Sequence, residues 1–375
     1  MSLPEPILIT APDELLELVA RLKRETRLAV DTESNSLHAY RERVCLIQFS
    51  IPGRDFLVDP FALVDLTPLA SLFKDPKIEK VFHAAEYDLI CLRRDFGFDF
   101  NHLFDTMAAA RILGWKQVGL GAILAEHFQV ELNKKYQRAD WARRPLPLEM
   151  QDYARLDTHY LLALRDRLQE ELEKKGRWTI ACEDFQRSRH VNGRGPAEKE
   201  QLFWRVSGVL DLEPGPAAVL WEVFLERDRI AQELDRPVFK VMGDKTLLEL
   251  AAKLPGTVRE LKQTAGLSEW LVRRYAANLL QAIRRGLEAR PKHSPRRKRP
   301  SEAVLARSEA LRTWRKETAK KQEVESDIIL PKDLLDEIIL QNPANRQGLA
   351  GILASSPSRL EQFGDDILRV LKAAV

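Results

Sequence analysis

The chain has 375 residues, enough for two or three domains at about 100 to 200 residues each, and its 45% hydrophobic and 31% charged residues exclude collagen-like, mucin-like and wholly disordered chains. No run approaches about 18 consecutive apolar residues, and the opening Met1 to Arg24 lacks the basic-then-apolar order of a signal peptide, so a soluble, cytoplasmic protein with no membrane contact is expected. The net charge of +3 is too small to argue for nucleic acid by itself, and Cys45, Cys91 and Cys182, with no C-x-x-C pair, predict buried free thiols instead of a disulfide framework or a thiolate zinc site.

Short runs rich in Val, Ile and Phe predict strands over Leu28 to Glu33, Val44 to Ile51, Asp55 to Val58 and Lys80 to Phe82. Helices are predicted after Pro12, near Pro60, at Ala84, at Asp105 and at Pro147, several with Asp or Thr as caps. The last reads amphipathically from about Leu148 to Lys174, before Gly176 ends it. This alternation predicts an α/β domain over residues 1–192, and Val191 to Pro196 (VNGRGP) reads as a linker.

Beyond the linker the pattern turns helical, and the chain matches itself without a gap when shifted by 88 residues. Pro255, Leu261, Tyr275, Leu279, Leu280 and Ile283 fall on Pro343, Leu349, Phe363, Ile367, Leu368 and Leu371, and Leu247 falls on Leu335. Two small all-α domains follow, 197–287 and 303–375, joined by a basic proline-rich linker over 288–302. Residues 1–195 carry 28 cations against 30 acids and the remainder 31 against 26; six of those 31 lie in RPKHSPRRKRP, which has no acid, so the basic excess of the second half is local. Arg296, Arg297, Lys298 and Arg299 there suit phosphate contact, a solvated run or a localisation signal.

Asp31 and Glu33, in LAVDTES at the end of an apolar strand, carry the most chemistry. Side chains at i and i+2 of a strand share a face, so the two carboxylates project together while Thr32 points away. Paired carboxylates suit hard, oxygen-preferring ions such as Mg²⁺ or Mn²⁺. A further acid lies in VFHAAEYDLICL, where spacing alone leaves Glu86 and Asp88 open and where either suits the first turn of a helix. Tyr153 and Asp157 stand four apart in QDYARLDTHYLL, on one helical face.

The order D-x-E, then D, then Y-x-x-x-D resembles the DEDDy branch of 3′–5′ exonucleases. HAAEYDL, LFDTMAAARILG, QRADWARRPL and YARLDTHYLL extend the likeness to the ribonuclease D family over nearly the whole chain, and the helical tail, with ESDIILPKDLL in its second copy, is similar to a pair of HRDC domains. The resemblance implies a ribonuclease H-like, mixed-sheet exonuclease domain followed by two HRDC-like helical domains. It also implies an exoribonuclease that uses two divalent metal ions, Mg²⁺ or Mn²⁺, to release nucleoside 5′-monophosphates from single-stranded RNA 3′ ends such as those of tRNA precursors; a monomer is expected because no long coiled coil or large apolar patch is readable. On this likeness Asp31, Glu33 and Asp157 hold the inner pair of ions, Asp88 rather than Glu86 serves the second ion partly through water, and Tyr153 orients the attacking water. A metal-dependent DNA exonuclease and a non-catalytic nucleic-acid-binding scaffold are the competing readings. The first helical copy departs from the pattern, with VFKVMGDKTLL where the second has DIILPKDLL, which puts nucleic-acid binding there in question.

For substrate contacts the sequence offers Leu37, His38 and Tyr40 after the first motif. In KKYQRADWARRPL it offers Lys134, Lys135, Arg138, Arg143 and Arg144, with Trp141 read as a core anchor. His83, where an apolar strand ends, reads as a core histidine. There is no G-x-x-x-x-G-K-[ST] phosphate loop, no H-E-x-x-H and no G-x-S-x-G, which excludes P-loop helicase, zincin and α/β-hydrolase chemistry.

Overall fold

The computed structural model describes residues 3–189, 198–295 and 300–374; the linker centres expected at Val191 to Pro196 and at Arg296 to Arg299 lie outside them. Six strands, β1 (Ile7–Ile9), β2 (Arg27–Ser34), β3 (Val44–Ile51), β4 (Arg54–Val58), β5 (Glu79–Phe82) and β6 (Leu103–Asp105), form one sheet in the order β1-β4-β3-β2-β5-β6. The β3–β4 hairpin is antiparallel, Ile47 opposite Val58, whereas β1–β4, β2–β5 and β5–β6 are parallel, so the sheet is mixed as expected. All eight residues of β3 are buried, which fits a central strand covered on both faces. The three-residue strands β1 and β6 escape sequence reading because ILI and LFD are too short to display a period.

The helices accompanying the sheet are α1 (Pro12–Leu22), α2 (Thr67–Lys74), α3 (Glu86–Phe96), α4 (Thr106–Leu113), α5 (Leu120–Phe128), α6 (Leu148–His159), α7 (Leu161–Lys174) and α8 (Trp178–Ser188). Phe49, Phe73 and Phe98 fill the core against α1 to α3, and Phe104, Leu164 and Phe185 fill another against α4, α7 and α8. Two predicted helices differ from the structure. The one expected near Pro60 starts at Thr67, because the Asp59 carboxylate accepts the Phe61 N–H (2.9 Å) and makes a turn, and Asp65 accepts the Thr67 N–H (2.8 Å). The long helix from Leu148 to Lys174 is interrupted at Tyr160. There the end of α6 is tied to the sheet: His159 Nδ1 lies 2.9 Å from Asp55, and the Thr158 hydroxyl lies 2.6 Å from that of Ser50.

After α9 (Lys199–Phe203) come α10 (Pro214–Glu233), α11 (Val238–Val241), α12 (Asp244–Lys253), α13 (Val258–Lys262) and α14 (Glu269–Glu288), then α15 (Glu302–Gln322), α16 (Ser326–Ile329), α17 (Lys332–Gln341), α18 (Arg346–Ile352) and α19 (Pro357–Ala373). Every helix of the second set starts 88 residues after its counterpart, and the left-handed residues Asp235 and Leu254 recur at Glu323 and Asn342 with the same spacing. The repeat read from apolar positions is therefore a repeat of backbone. Tyr275 and Phe363, and Ile283 and Leu371, are buried in the two cores.

The first copy and the loop 34–43 form one compact unit; the second copy belongs to another, with the strands and α1 to α8. Within that second unit Arg359 of α19 has no exposed surface. Its guanidinium donates to both carboxylate oxygens of Asp184 on α8 (2.9 and 2.8 Å) and to the Ile328 carbonyl (2.9 Å). Arg111 of α4 donates to Glu325 and Asp327, and a β-carbon at Gly114, which is left-handed (φ +82°), would run into the Glu323 carbonyl. Among the described residues no helix is long and apolar enough to cross a membrane.

Candidate active site

The apolar stretch Leu28 to Val30 buries the first half of β2, and the strand then emerges into a partly buried region where Asp31 and Glu33 share a face. Helix α6 crosses β3 and β4 and presents Asp157 to the same place. One carboxylate oxygen each from Asp31, Glu33 and Asp157 lie within 4.8 Å of one another. On α3 Asp88 is buried while Glu86 is exposed. The Thr32 hydroxyl donates to the Asp88 carboxylate.

Among the described residues no cation pairs with any of these four acids. Burial raises the Asp31 and Glu33 carboxyls well above the ordinary range; for Asp31 the repulsion of Asp88, Asp157 and Glu33 adds to it, and for Glu33 that of Asp157 and Asp88. Burial pushes Asp88 up to about 7 against the lowering effect of the Thr32 hydrogen bond, and pushes Asp157 up to about 7 with help from the Asp88 charge. The Tyr153 phenol is raised by burial and then by Asp157, Glu33 and Asp31, with a hydrogen bond to Gln137 opposing. Its ring packs 5.9 Å from that of Trp141, which is the fully buried anchor expected, and 6.0 Å from that of Tyr136. Carboxylates with these affinities for protons hold a site that favours added positive charge, and an all-oxygen donor set suits Mg²⁺ or Mn²⁺.

The helix that carries Asp88 begins unusually. Ala84 is left-handed (φ +63°), a conformation that costs a residue with a β-carbon about 1 to 2 kcal/mol. The Asp105 carboxylate accepts the N–H groups of both Ala84 (3.0 Å) and Ala85 (2.9 Å), which holds this turn in place.

Arg144 pairs bidentately with Asp59 (2.6 Å twice) and also donates to the carbonyls of Trp141, Arg143 and Cys45, which uses up its guanidinium donors. Tyr40 donates its hydroxyl to Asp228 (2.8 Å) and its N–H to Asp235 (3.1 Å), anchoring it in the unit formed with the first copy; burial and that hydrogen bond push its phenol up to about 12. Leu37 is exposed and His38 half-buried in the same loop, which Asn35 organises by accepting the Arg43 N–H. Lys135, its ammonium 5.1 Å from the Tyr136 ring, and Arg138 are exposed. His83, partly buried, lies 2.8 Å from the Thr106 hydroxyl, and burial lowers its pKa. Three residues that sequence reasoning passed over belong to the site's surroundings: Thr32, Gln137 and Asp105. Their signals were present, in the middle of D-T-E, in KKYQ and in LFDT, but each reads as a spacer or a cap until its partners are known.

The model of the family described as 3′–5′ exonuclease matches residues 6–173, and that of the HRDC domain matches residues 217–283 and 304–371. Ribonuclease D of Jannaschia sp. (strain CCS1) is 31% identical over 385 residues, covering 99% of this chain and 96% of the relative. The chain belongs to the ribonuclease D family. Protein RRP6-like 2 of Arabidopsis thaliana is 35% identical over 288 residues; that match takes in 73% of this chain but spans only 33% of the relative's length. The crystal structure of Escherichia coli RNase D covers 99% of both chains with a TM-score of 0.73 at 22% identity, which shows that ribonuclease D fold to be shared from the sheet to the last helix.

Proposed function

We propose that the chain is a divalent-metal-dependent 3′–5′ exoribonuclease that hydrolyses phosphodiester bonds and releases nucleoside 5′-monophosphates. The observation that carries this reading is the cluster of Asp31, Glu33 and Asp157, with Asp88 beside it, partly buried and facing no described cation. Membership of the ribonuclease D family supports it.

The donor chemistry fits the ions: Asp31, Glu33 and Asp157 would hold them, with Asp88 completing the set. When bound, two divalent ions polarise the scissile phosphate, activate a water and stabilise the leaving 3′ oxygen. The chain's own part is to bring its carboxylates together as ligands and to orient the water. Tyr153 retains its phenolic proton at neutral pH, so it offers one donor and one acceptor to that water and is not a base. The finer reading takes single-stranded RNA 3′ ends, tRNA precursors among them, as substrate for a monomer working in the cytoplasm, with Lys135, Arg138, Leu37 and His38 as strand contacts.

The test is a time course with Mn²⁺ or Mg²⁺ on matched 3′-labelled and 5′-labelled RNA and DNA, with Asp31→Asn as control. Metal-dependent release of mononucleotides from the 3′ end of RNA, absent in the variant, is expected. Faster shortening of DNA would shift the substrate, and binding of RNA without shortening would leave a scaffold.

A further inference from the structure

Asp105 caps α4 in the ordinary way, its Oδ1 accepting the N–H groups of Met107 (2.9 Å) and Ala108 (3.1 Å). A helix cap needs no more than this. Yet the same carboxylate, 8% exposed, also takes Ala84 N–H on Oδ1 and Ala85 N–H on Oδ2, at the entry to a different helix. Those two residues stand just ahead of Asp88, and one of them is the left-handed Ala84. The neighbouring Thr106 donates its hydroxyl to the Phe82 carbonyl at the end of β5 (3.0 Å), and β5 pairs in parallel with β2, Ala29 opposite Val81. The acids of β2 and the acid of α3 are thereby referred to one junction.

Resting on the exonuclease reading, we propose that Asp105 is a positioning residue for the metal site: by gripping the backbone of Ala84 and Ala85 it fixes the first turn of α3 and with it the Asp88 carboxylate. It touches neither ion nor substrate and acts through Asp88 alone. Four N–H groups from two helix starts converge on one buried side chain, so no shift of α3 relative to α4 leaves that carboxylate satisfied.

Two variants separate positioning from capping. Asp105→Ser keeps a good cap for α4 but is too short to serve α3 as well. Asp105→Asn, with its amide nitrogen in place of Oδ2, keeps the three bonds on Oδ1 and loses only that to Ala85. Mn²⁺ titration of the full chain, by electron paramagnetic resonance and calorimetry, is compared among the unaltered protein, both variants, Asp88→Asn and the double variant Asp105→Ser/Asp88→Asn, with a thermal melt of each. The expected result is a loss of about tenfold in affinity for one ion with the other unchanged, matched by Asp88→Asn and not increased in the double variant. A lowered melting temperature with Mn²⁺ binding unchanged, or a loss that adds in full to that of Asp88→Asn, would overturn the proposal and leave Asp105 a helix cap. The exonuclease reading fails separately: an unaltered chain that binds Mn²⁺ without shortening RNA refutes the activity while the titration still decides the role of Asp105, and one that binds no Mn²⁺ refutes both.

Discussion

Where α8 meets α19, Arg359 is completely buried and both oxygens of Asp184 accept from it; where β2 meets α6, Asp31, Glu33 and Asp157 crowd together with Asp88 close by, and no described cation answers them. Both places take charge out of water, which is costly unless it is compensated. At the first the compensation is internal and the result is a joint. At the second it has to arrive from outside, and the carboxyls hold protons up to about 7 in its place. An uncompensated buried charge cluster is thus the mark of a ligand site, whereas a compensated one is architecture.

Asp31→Asn is expected to slow RNA shortening by on the order of 10³-fold, about 4 kcal/mol of lost transition-state stabilisation, with RNA binding retained; labelled-RNA kinetics that match the unaltered chain would refute the assignment. At the joint, Arg359→Ala strands the Asp184 carboxylate and should cost about 3 to 5 kcal/mol of stability in denaturant melts, whereas Arg359→Met paired with Asp184→Leu should recover most of it. A double variant as unstable as the single one would mean that the guanidinium, not the charge balance, holds the second copy.

Divalent ions sharpen the contrast. Between the carboxylate range of the unfolded chain, about 4, and about 7, the metal-free folded protein binds more protons at Asp88 and Asp157 than the unfolded chain does, so its stability falls as pH rises through that window. Ions displace those protons, so their affinity should rise over the same interval. At a hundred times the dissociation constant Mn²⁺ should add about 2.7 kcal/mol. Melts in chelator and in Mn²⁺ between pH 5 and 8 check both signs; parallel curves would count against the site. The smallest effect is expected from Tyr153→Phe, about tenfold in turnover, or about 1.4 kcal/mol, with Mn²⁺ binding intact, measured under single-turnover conditions.

Much of this arrangement was legible in the chain. The strand pattern of LAVDTES places Asp31 and Glu33 on one face, the four-residue step from Tyr153 to Asp157 places both on one side of α6, and apolar positions repeated every 88 residues anticipate helices that begin 88 residues apart. What stayed hidden depends on partners distant in sequence. Asp59 and Arg144 are 85 positions apart, so the arginine reads as a free cation; Asp105 and Ala84 are 21 apart, so the aspartate reads as a simple cap; and the interruption at Tyr160 follows from Asp55, which no local periodicity reports.

Gly114 has a bearing on how such a chain can vary over descent. The backbone of Glu323, from the second helical copy, occupies the space that a side chain at this position would need. A lineage that keeps that copy seated meets a clash on replacing the glycine even with alanine, whereas one that sheds the copy loses the clash and keeps only the cost of a left-handed residue with a β-carbon. What the last domain adds at Gly114 is thus a steric restriction on top of a conformational one.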